Sequence, residues 1–185
     1  MLVFGGSLEI MTCSGLIQAV CSSSLSEVTL ISKFPDLNLV FVGREDYFYH
    51  KLKKIVKNKK IKNIVFTGHV YDYDLDILQH NAVAYIFPSL YEGFGLPPLE
   101  AMAKGTPVIS SNHPCMQEIL GESAYYFDAK IETEITKAIE EVLTNNVLRE
   151  KLILAGYKQI KKYSWKKMAK ETLLLYKNVK INRDD

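Results

Sequence analysis

The sequence predicts an α/β fold, a single domain in which a parallel sheet is flanked by helices. Short apolar runs rich in β-branched and aromatic residues alternate with amphipathic helical patterns, which is typical of parallel βαβ units. Residues 82–87 form a continuous apolar run, as expected for a strand buried on both faces. A length of 185 residues suits one well-packed domain.

The predicted strands end in turns that a parallel sheet would place at one edge. Glycines follow three of these strands, at Gly5, Gly43 and Gly68. Ligands of doubly wound sheets bind at the carboxyl ends of the strands, so we expect a site at these turns. The strands are expected at residues 1–4, 37–42, 64–67, 82–87, 107–110 and 124–127.

The predicted helices lie between and after these strands. The first, over residues 14–33, is a weak candidate because a serine run interrupts it. The helix before the fifth strand is closed by Gly105, a residue type that commonly ends helices. Helices are expected at residues 47–60, 73–81, 97–104, 116–120, 132–144, 147–163 and 165–179.

Composition restricts the classes of function. The net charge of +2 gives no reason to expect a nucleic-acid partner. Basic residues cluster at 51–62 and 158–170; we interpret both as solvated helix faces, with peripheral contact with an anionic membrane as the alternative. The three cysteines lack metal-ligand spacing and no apolar run reaches the roughly 18 residues of a membrane helix. These features predict a soluble, reduced, cytoplasmic protein without a bound metal.

The turn after residue 87 carries the strongest functional signal. Gly93 and Gly95 permit a tight backbone that can approach a ligand closely. Pro97 and Pro98 suit the first turn of a helix. The amides of residues 94–96 would then lie at a helix N-terminus, which favours anions such as phosphate.

Two carboxylates flank this predicted helix start. Glu100 lies about one turn inside the helix, where it can accept hydrogen bonds from a vicinal diol, and Glu92 precedes the helix. Together with the anion site they match the ribose, diphosphate and hexose of a nucleotide sugar. The alternative is a glycine-containing turn whose two glutamates are merely solvated.

A family resemblance bears on this choice. The run Phe-Pro-Ser-Leu-Tyr-Glu-Gly-Phe-Gly-Leu-Pro-Pro-Leu-Glu-Ala-Met-Ala at residues 87–103 resembles the donor-site signature of family-4 retaining glycosyltransferases. The resemblance covers residues 34 to about 178 almost continuously. Segments similar to other parts of that family stand at residues 66–70, 72–75, 105–109, 118–119, 149–156 and 163–165.

The resemblance implies the GT-B fold, which has two facing Rossmann-like domains. The N-terminal domain of such enzymes binds the acceptor and the C-terminal domain binds the nucleotide-sugar donor. This chain resembles the C-terminal one, with a Rossmann-like domain at residues 1–179 and a polar tail at 180–185. The acceptor domain is expected to be absent, so the chain is expected to be incomplete as an isolated enzyme.

The resemblance also implies roles for individual residues. Glu92, the predicted catalytic residue, would contact hydroxyls of the donor sugar, and Glu100 would contact the ribose. The remaining predicted contacts are the amides of Gly93, Phe94, Gly95 and Leu96 for the sugar and distal phosphate, His69 and Val70 beside the base, and Gly43 and Gly6 for close approach of the nucleotide.

The implied reaction is transfer of a hexosyl group from a UDP-, GDP- or ADP-linked sugar with retention of configuration. The acceptor would be a saccharide or a lipid-linked glycan in polysaccharide biosynthesis, and a separate chain could supply the acceptor domain. No cofactor or metal is expected. Catalysis would come mainly from stabilising the departing diphosphate by positive charge and the helix dipole.

One segment departs from the family pattern. The turn at Gly6 is normally followed by an Arg-Lys pair, but residues 10–13 are uncharged and residues 1–32 contain no Lys or Arg. Residues 1–33 are therefore divergent, and we interpret residues 10–32 as a decayed or frame-shifted segment, with a real divergent donor site as the competitor. Lys104 and Arg44 are candidates to supply the missing charge, whereas His50, His80 and His113 are interpreted as structural or solvated.

Three functions follow as hypotheses. The first is a glycosyltransferase donor domain. The second is a catalytically inactive nucleotide-sugar-binding or interaction module, a degenerate remnant, which the uncharged residues 10–13 favour. The third, a nucleotide-sugar epimerase on the same fold, is disfavoured by the spacing of Glu92 and Glu100.

Overall fold

The structure is a computed structural model that describes residues 1–4 and 30–181 of the chain. Within these residues six strands form one parallel sheet in the order β3-β2-β1-β4-β5-β6. All six were predicted, with ends shifted by at most two residues. The strands are β1 Leu2–Phe4, β2 Leu39–Val42, β3 Ile64–Gly68, β4 Ala84–Phe87, β5 Val108–Ser111 and β6 Ala124–Phe127.

Helices flank the sheet and follow it, as predicted. Of the weak helix candidate at 14–33, only the last four residues are described, and they are helical; the rest lies outside the described residues. The helices are α1 Leu30–Lys33, α2 Tyr47–Asn58, α3 Asp72–His80, α4 Leu96–Ala103, α5 Pro114–Leu120, α6 Glu132–Thr144, α7 Asn146–Gln159 and α8 Trp165–Ile181.

The strand order fixes where a ligand can bind. Strand β1 pairs with β2 on one side, with Phe4 opposite Phe41, and with β4 on the other, with Phe4 opposite Ile86. The chain therefore reverses its direction of winding between β1 and β4. A crevice forms at such a switch point, outside the carboxyl ends of the strands, and the turn after Phe87 opens into it.

Strands β2, β4, β5 and β6 contribute alternate side chains to two hydrophobic cores. On one face Phe41 and Ile86 pack with residues of α2 and α6. On the other face Tyr85 and Phe87 pack with α4 and α5, where Met116 is fully buried. Strand β4 is thus buried on both sides, which explains why its sequence is apolar throughout.

Local hydrogen bonds account for the shifted element ends. The amide of Leu37 bonds to the Phe34 carbonyl and closes a turn at residues 35–36, and β2 begins only at Leu39. Helix α2 ends before residue 60 because Lys60 adopts a left-handed backbone (φ 52°). The amide of Ala82 closes a turn on Gln79, which delays the start of β4 to Ala84.

The basic clusters lie on the surface. Every lysine of residues 51–62 and 158–170 is exposed, which agrees with solvated helix faces. Helix α8 also exposes apolar side chains, among them Trp165, Leu175 and Tyr176. Among the described residues, no helix combines the length and the apolar character needed to cross a membrane.

Candidate functional site

The loop between β4 and α4 is held in place where it leaves the sheet. Pro88 is buried. The Ser111 hydroxyl, at the end of β5, donates a 2.5 Å hydrogen bond to the Ser89 carbonyl. The Ser89 hydroxyl in turn donates to the Tyr91 carbonyl at 3.1 Å. The first half of the loop is therefore fixed to the carboxyl edge of the neighbouring strand.

Gly95 forms the tight turn into α4. It is the N-cap of the helix and has a left-handed backbone with φ +87°, a conformation that side-chain-bearing residues rarely adopt. A Cβ atom at this position would lie 2.6 Å from the Met116 methyl group of α5. The left-handed backbone favours glycine here, and the short distance to the Met116 side chain shows that the loop backbone approaches α5 closely.

The amides predicted to bind an anion lie at the start of α4, as expected. Helix α4 begins at Leu96 and has proline in its first turn. The amides of residues 93–96 therefore precede or open the helix, and none donates a hydrogen bond to another described residue. Free amides at a helix start, with the helix dipole behind them, form an arrangement suited to a phosphate.

Aromatic packing holds the second half of the loop. The Phe94 ring lies edge-on against the Tyr163 ring, with centroids 5.3 Å apart. The Tyr163 hydroxyl donates a 2.9 Å hydrogen bond to the Ile119 carbonyl, which also accepts a 2.6 Å bond from Gln159. The segment that follows α7 thus supports the loop. Sequence reasoning noted Tyr163 only as part of a family motif and missed this contact.

The two predicted glutamates are brought to one place. Tyr85 in β4 is 1% exposed, and burial raises the pKa of its hydroxyl far above the usual range. The charges of Glu100 and Glu92 raise that pKa further. Both carboxylates therefore lie within electrostatic reach of the same buried hydroxyl, on either side of the start of α4. The sequence offered no signal that both carboxylates act on Tyr85.

Glu100 lies in an acidic environment. Partial desolvation of its carboxyl raises its pKa above the usual value, and Asp72 and Asp76 of α3 raise it further, whereas Lys104 lowers it. Lys104 forms an ion pair with Asp76 at the far end of α4. A cation at that end of the helix cannot neutralise a phosphate at the other end. Lys104 therefore pairs with Asp76, and its candidacy as the missing phosphate contact gains no support from this geometry.

The predicted base-binding segment lies next to Glu100. His69 is exposed and packs edge-on to Tyr71, with centroids 5.8 Å apart. Val70 packs against the core on the α4 side of the sheet. Both residues lead into α3, whose Asp72 acts electrostatically on Glu100. These two residues therefore lie on the Glu100 side of the loop.

The remaining predicted contacts are only partly described. The Gly43 amide donates a 3.2 Å hydrogen bond to the Gly68 carbonyl, which ties the ends of β2 and β3 together. Arg44 is exposed and forms no ion pair with a described residue. Gly6 and the uncharged residues 10–13 lie outside the described residues. No cluster of three His, Cys, Asp or Glu side chains suited to a metal occurs in residues 1–4 and 30–181.

The histidines have structural contacts. The His113 ring nitrogen Nδ1 accepts a 3.3 Å hydrogen bond from the Cys115 amide and so caps α5. His80 contacts the Lys104 carbonyl at 3.2 Å, and His50 packs edge-on to Tyr49. The cap explains why α5 begins at Pro114, two residues before its predicted start. A polar residue directly before a proline is a start signal that could have located it.

Comparisons with known proteins identify the family of this chain. The family model described as Glycosyl transferases group 1 matches residues 16–159. The O-antigen chain mannosyltransferase B of Escherichia coli is 37% identical over 114 residues, which are 62% of this chain and 30% of that protein. The chain therefore spans about a third of the length of this relative.

Solved structures show the same fold at low sequence identity. The sucrose-phosphate synthase of Thermosynechococcus elongatus matches with a TM-score of 0.81 and 21% identity over 98% of this chain and 45% of that one. The Anabaena protein Alr3699/HepE, solved with UDP and glucose, matches with a TM-score of 0.76 and 15% identity over 95% and 47%. The match at both levels, together with the loop geometry, shows that this chain belongs to the glycosyl transferases group 1 family and has the α/β architecture of a GT-B glycosyltransferase domain.

Proposed function

We propose that this chain is the donor-binding domain of a retaining glycosyltransferase. It would transfer a hexosyl group from a nucleoside diphosphate sugar to a saccharide or a lipid-linked glycan. The observation that carries the proposal is the position of Glu92 and Glu100, which flank the glycine turn and the free amides at the start of α4.

Each part of the site fits one part of the donor. The free amides of residues 93–96 and the dipole of α4 would bind the diphosphate and stabilise the charge that develops on it as the glycosidic bond breaks. Glu100 would accept hydrogen bonds from the ribose diol. Glu92, on the loop side, would accept hydrogen bonds from hydroxyls of the transferred sugar.

The similar proteins suggest which donor sugar to test first. A similar structure was solved with UDP and glucose, which supports a nucleoside diphosphate hexose in general. A relative of known name is an O-antigen chain mannosyltransferase. Mannose is therefore the first sugar to test, in the setting of a surface polysaccharide. No cofactor or metal enters the proposed reaction.

A complete glycosyltransferase must also bind the acceptor. We propose that an acceptor domain, in the same protein or in a separate chain, faces the carboxyl edge of this sheet. The protein would work in the cytoplasm, where peripheral contact with a membrane would bring it to a lipid-linked acceptor. The competing function, a nucleotide-sugar-binding module without catalysis, is favoured by the absence of charge at residues 10–13.

Calorimetric titration with UDP, GDP, ADP and their hexose conjugates tests the proposal. One nucleotide should bind to the wild-type chain, and a Glu100→Ala variant should bind it at least tenfold more weakly, because a hydrogen-bonded carboxylate contributes about 1.5–3 kcal/mol. Glu150→Ala is the matched control, since Glu150 is exposed on α7, far in sequence from the loop. Absence of binding to all three nucleotides would contradict the proposal.

A further inference from the structure

An exposed aromatic side chain stands directly before Glu92. Tyr91 is 79% exposed, although the loop that carries it is fixed at Ser89. Its ring packs edge-on against the His113 ring, with centroids 6.1 Å apart and planes 67° apart. The pair bridges the loop after β4 and the start of α5. An exposed aromatic ring in a loop at the carboxyl edge of the sheet can cover an apolar face of a ligand.

The cap on α5 determines which hydrogen-bonding group His113 offers. Its Nδ1 atom accepts the Cys115 amide hydrogen, so the neutral ring carries its proton on Nε2. No other described residue forms a hydrogen bond with this ring. His113 therefore presents an N–H donor beside Tyr91.

Glu92 faces the same region. Burial raises the pKa of the Cys115 thiol, and the charges of Glu118 and Glu92 raise it further. Glu92 directly follows Tyr91, whose ring contacts His113 at the start of α5, so Glu92 belongs to the same part of the loop. An aromatic face, an N–H donor and a carboxylate acceptor thus occur together. A sugar ring offers matching groups, because it has an apolar C–H face and hydroxyls that both donate and accept hydrogen bonds.

We propose that Tyr91 and His113 bind the hexose of the donor and determine which class of sugar is accepted. Tyr91 covers one face of the pyranose ring, His113 donates through Nε2 to a hydroxyl, and Glu92 accepts from a neighbouring hydroxyl. The Glu92 charge disfavours a sugar that carries its own carboxylate. The site therefore selects neutral hexoses over hexuronates. This inference rests on the proposed donor-binding function.

The test distinguishes binding of the sugar from binding of the nucleotide. Calorimetry on the full chain measures the Kd of the free nucleoside diphosphate and of its hexose conjugate, with whichever of UDP, GDP and ADP binds the wild type. Tyr91→Ala and His113→Ser should each weaken binding of the hexose conjugate about three- to tenfold, as expected for one lost hydrogen bond or ring contact. The Kd of the free nucleotide should stay within about twofold.

Matched variants control for folding. Serine is a good N-cap residue, so His113→Ser retains the α5 cap while it removes the ring donor. Tyr91→Phe retains the aromatic face and should bind the hexose conjugate like the wild type. The corresponding nucleotide hexuronate should bind the wild type more weakly than the neutral conjugate, and Glu92→Gln should reduce that difference.

Two results would overturn the inference while leaving donor binding intact. In the first, Tyr91→Ala and His113→Ser do not change the Kd of the hexose conjugate. In the second, both variants weaken binding of the free nucleotide as much as binding of the hexose conjugate. Failure of the wild type to bind any nucleoside diphosphate would overturn the proposed function itself, and the sugar subsite with it.

Discussion

The Phe94 ring, in the loop that carries Glu92, rests edge-on against Tyr163, at 5.3 Å between centroids. The two residues are far apart in sequence, and Tyr163 follows the short helical turn after α7. The Tyr163 hydroxyl is bonded to the Ile119 carbonyl, so the ring has a fixed orientation. The loop is therefore supported by the C-terminal part of the chain, not by its own sequence alone.

Replacement of Tyr163 should separate the ring contact from the hydroxyl contact. Tyr163→Phe should cost about 1 kcal/mol of unfolding free energy or less, because the Ile119 carbonyl keeps its bond from Gln159. Tyr163→Ala should cost about 2 kcal/mol or more, since the packing against Phe94 is lost as well. Urea unfolding measures both values.

Nucleotide affinity gives a second measure for the same pair of variants. Tyr163→Ala should weaken binding of the nucleotide because the amides of residues 93–96 lose their support, whereas Tyr163→Phe should bind normally. Equal affinities for the two variants would show that the loop is held without the ring.

Gly95 should be far less replaceable than Gly93. Gly95→Ala forces a side chain into a left-handed backbone and towards Met116, and it should cost about 1–2 kcal/mol from backbone strain alone. Gly93 has no neighbour within 4 Å of an added Cβ and lacks a positive φ, so Gly93→Ala should leave stability nearly unchanged. Thermal unfolding of both variants checks this contrast, and comparable losses would be inconsistent with the loop geometry.

The sequence predicts the local elements of this fold and site better than the contacts between distant segments. Strand β4 was identifiable because burial on both faces demands an apolar run, and the loop after it because Gly93, Gly95 and the following prolines constrain the backbone locally. The positions of Glu92 and Glu100 on either side of the helix start could be predicted on the same local grounds. Local signals of this kind survive in a single sequence.

Contacts between distant segments could not be predicted in the same way. Nothing in the sequence near Phe94 indicates that Tyr163 packs on it, and the ion pair between Lys104 and Asp76 depends on how two helices are packed. The fold alone decides these pairings. The start of α5 combines both situations. His113 directly before Pro114 is a local sequence signal for a helix cap, but no local signal indicates that the His113 ring contacts Tyr91.

Glu100 should make stability depend on pH. The pKa of Glu100 in the folded chain is raised above the ordinary 4.5. Between pH 4.5 and this raised pKa, the folded state therefore binds more protons than the unfolded state. Stability from this group is therefore lost as pH rises through that interval. Glu100→Gln should unfold at a higher temperature than the wild type at pH 7.

The difference between wild type and Glu100→Gln should shrink as the pH falls below about 4.5, where the carboxyl is protonated in both states. Thermal unfolding at pH 7, 5 and 4 provides the measurement. A difference that stays constant with pH would mean that the charge of Glu100 is not the cause. The gain in stability at pH 7 should be accompanied by weaker nucleotide binding, as expected when a functional carboxylate is kept in an unfavourable environment.

The hydrogen bond from Ser111 to the Ser89 carbonyl should matter more for binding than for folding. Ser111→Ala removes a 2.5 Å bond that links β5 to the loop and should cost about 1 kcal/mol of unfolding free energy. Ser110→Ala is the matched control, because the Ser110 hydroxyl bonds only to the carbonyl of the next residue, at 3.2 Å. Both serines are buried, so the two variants remove the same group from similar surroundings. If the link orders Tyr91 and Glu92, calorimetry should show weaker binding of the nucleotide hexose for Ser111→Ala alone, whereas equal binding by both variants would show that the loop is ordered by Phe94 and Gly95 without it.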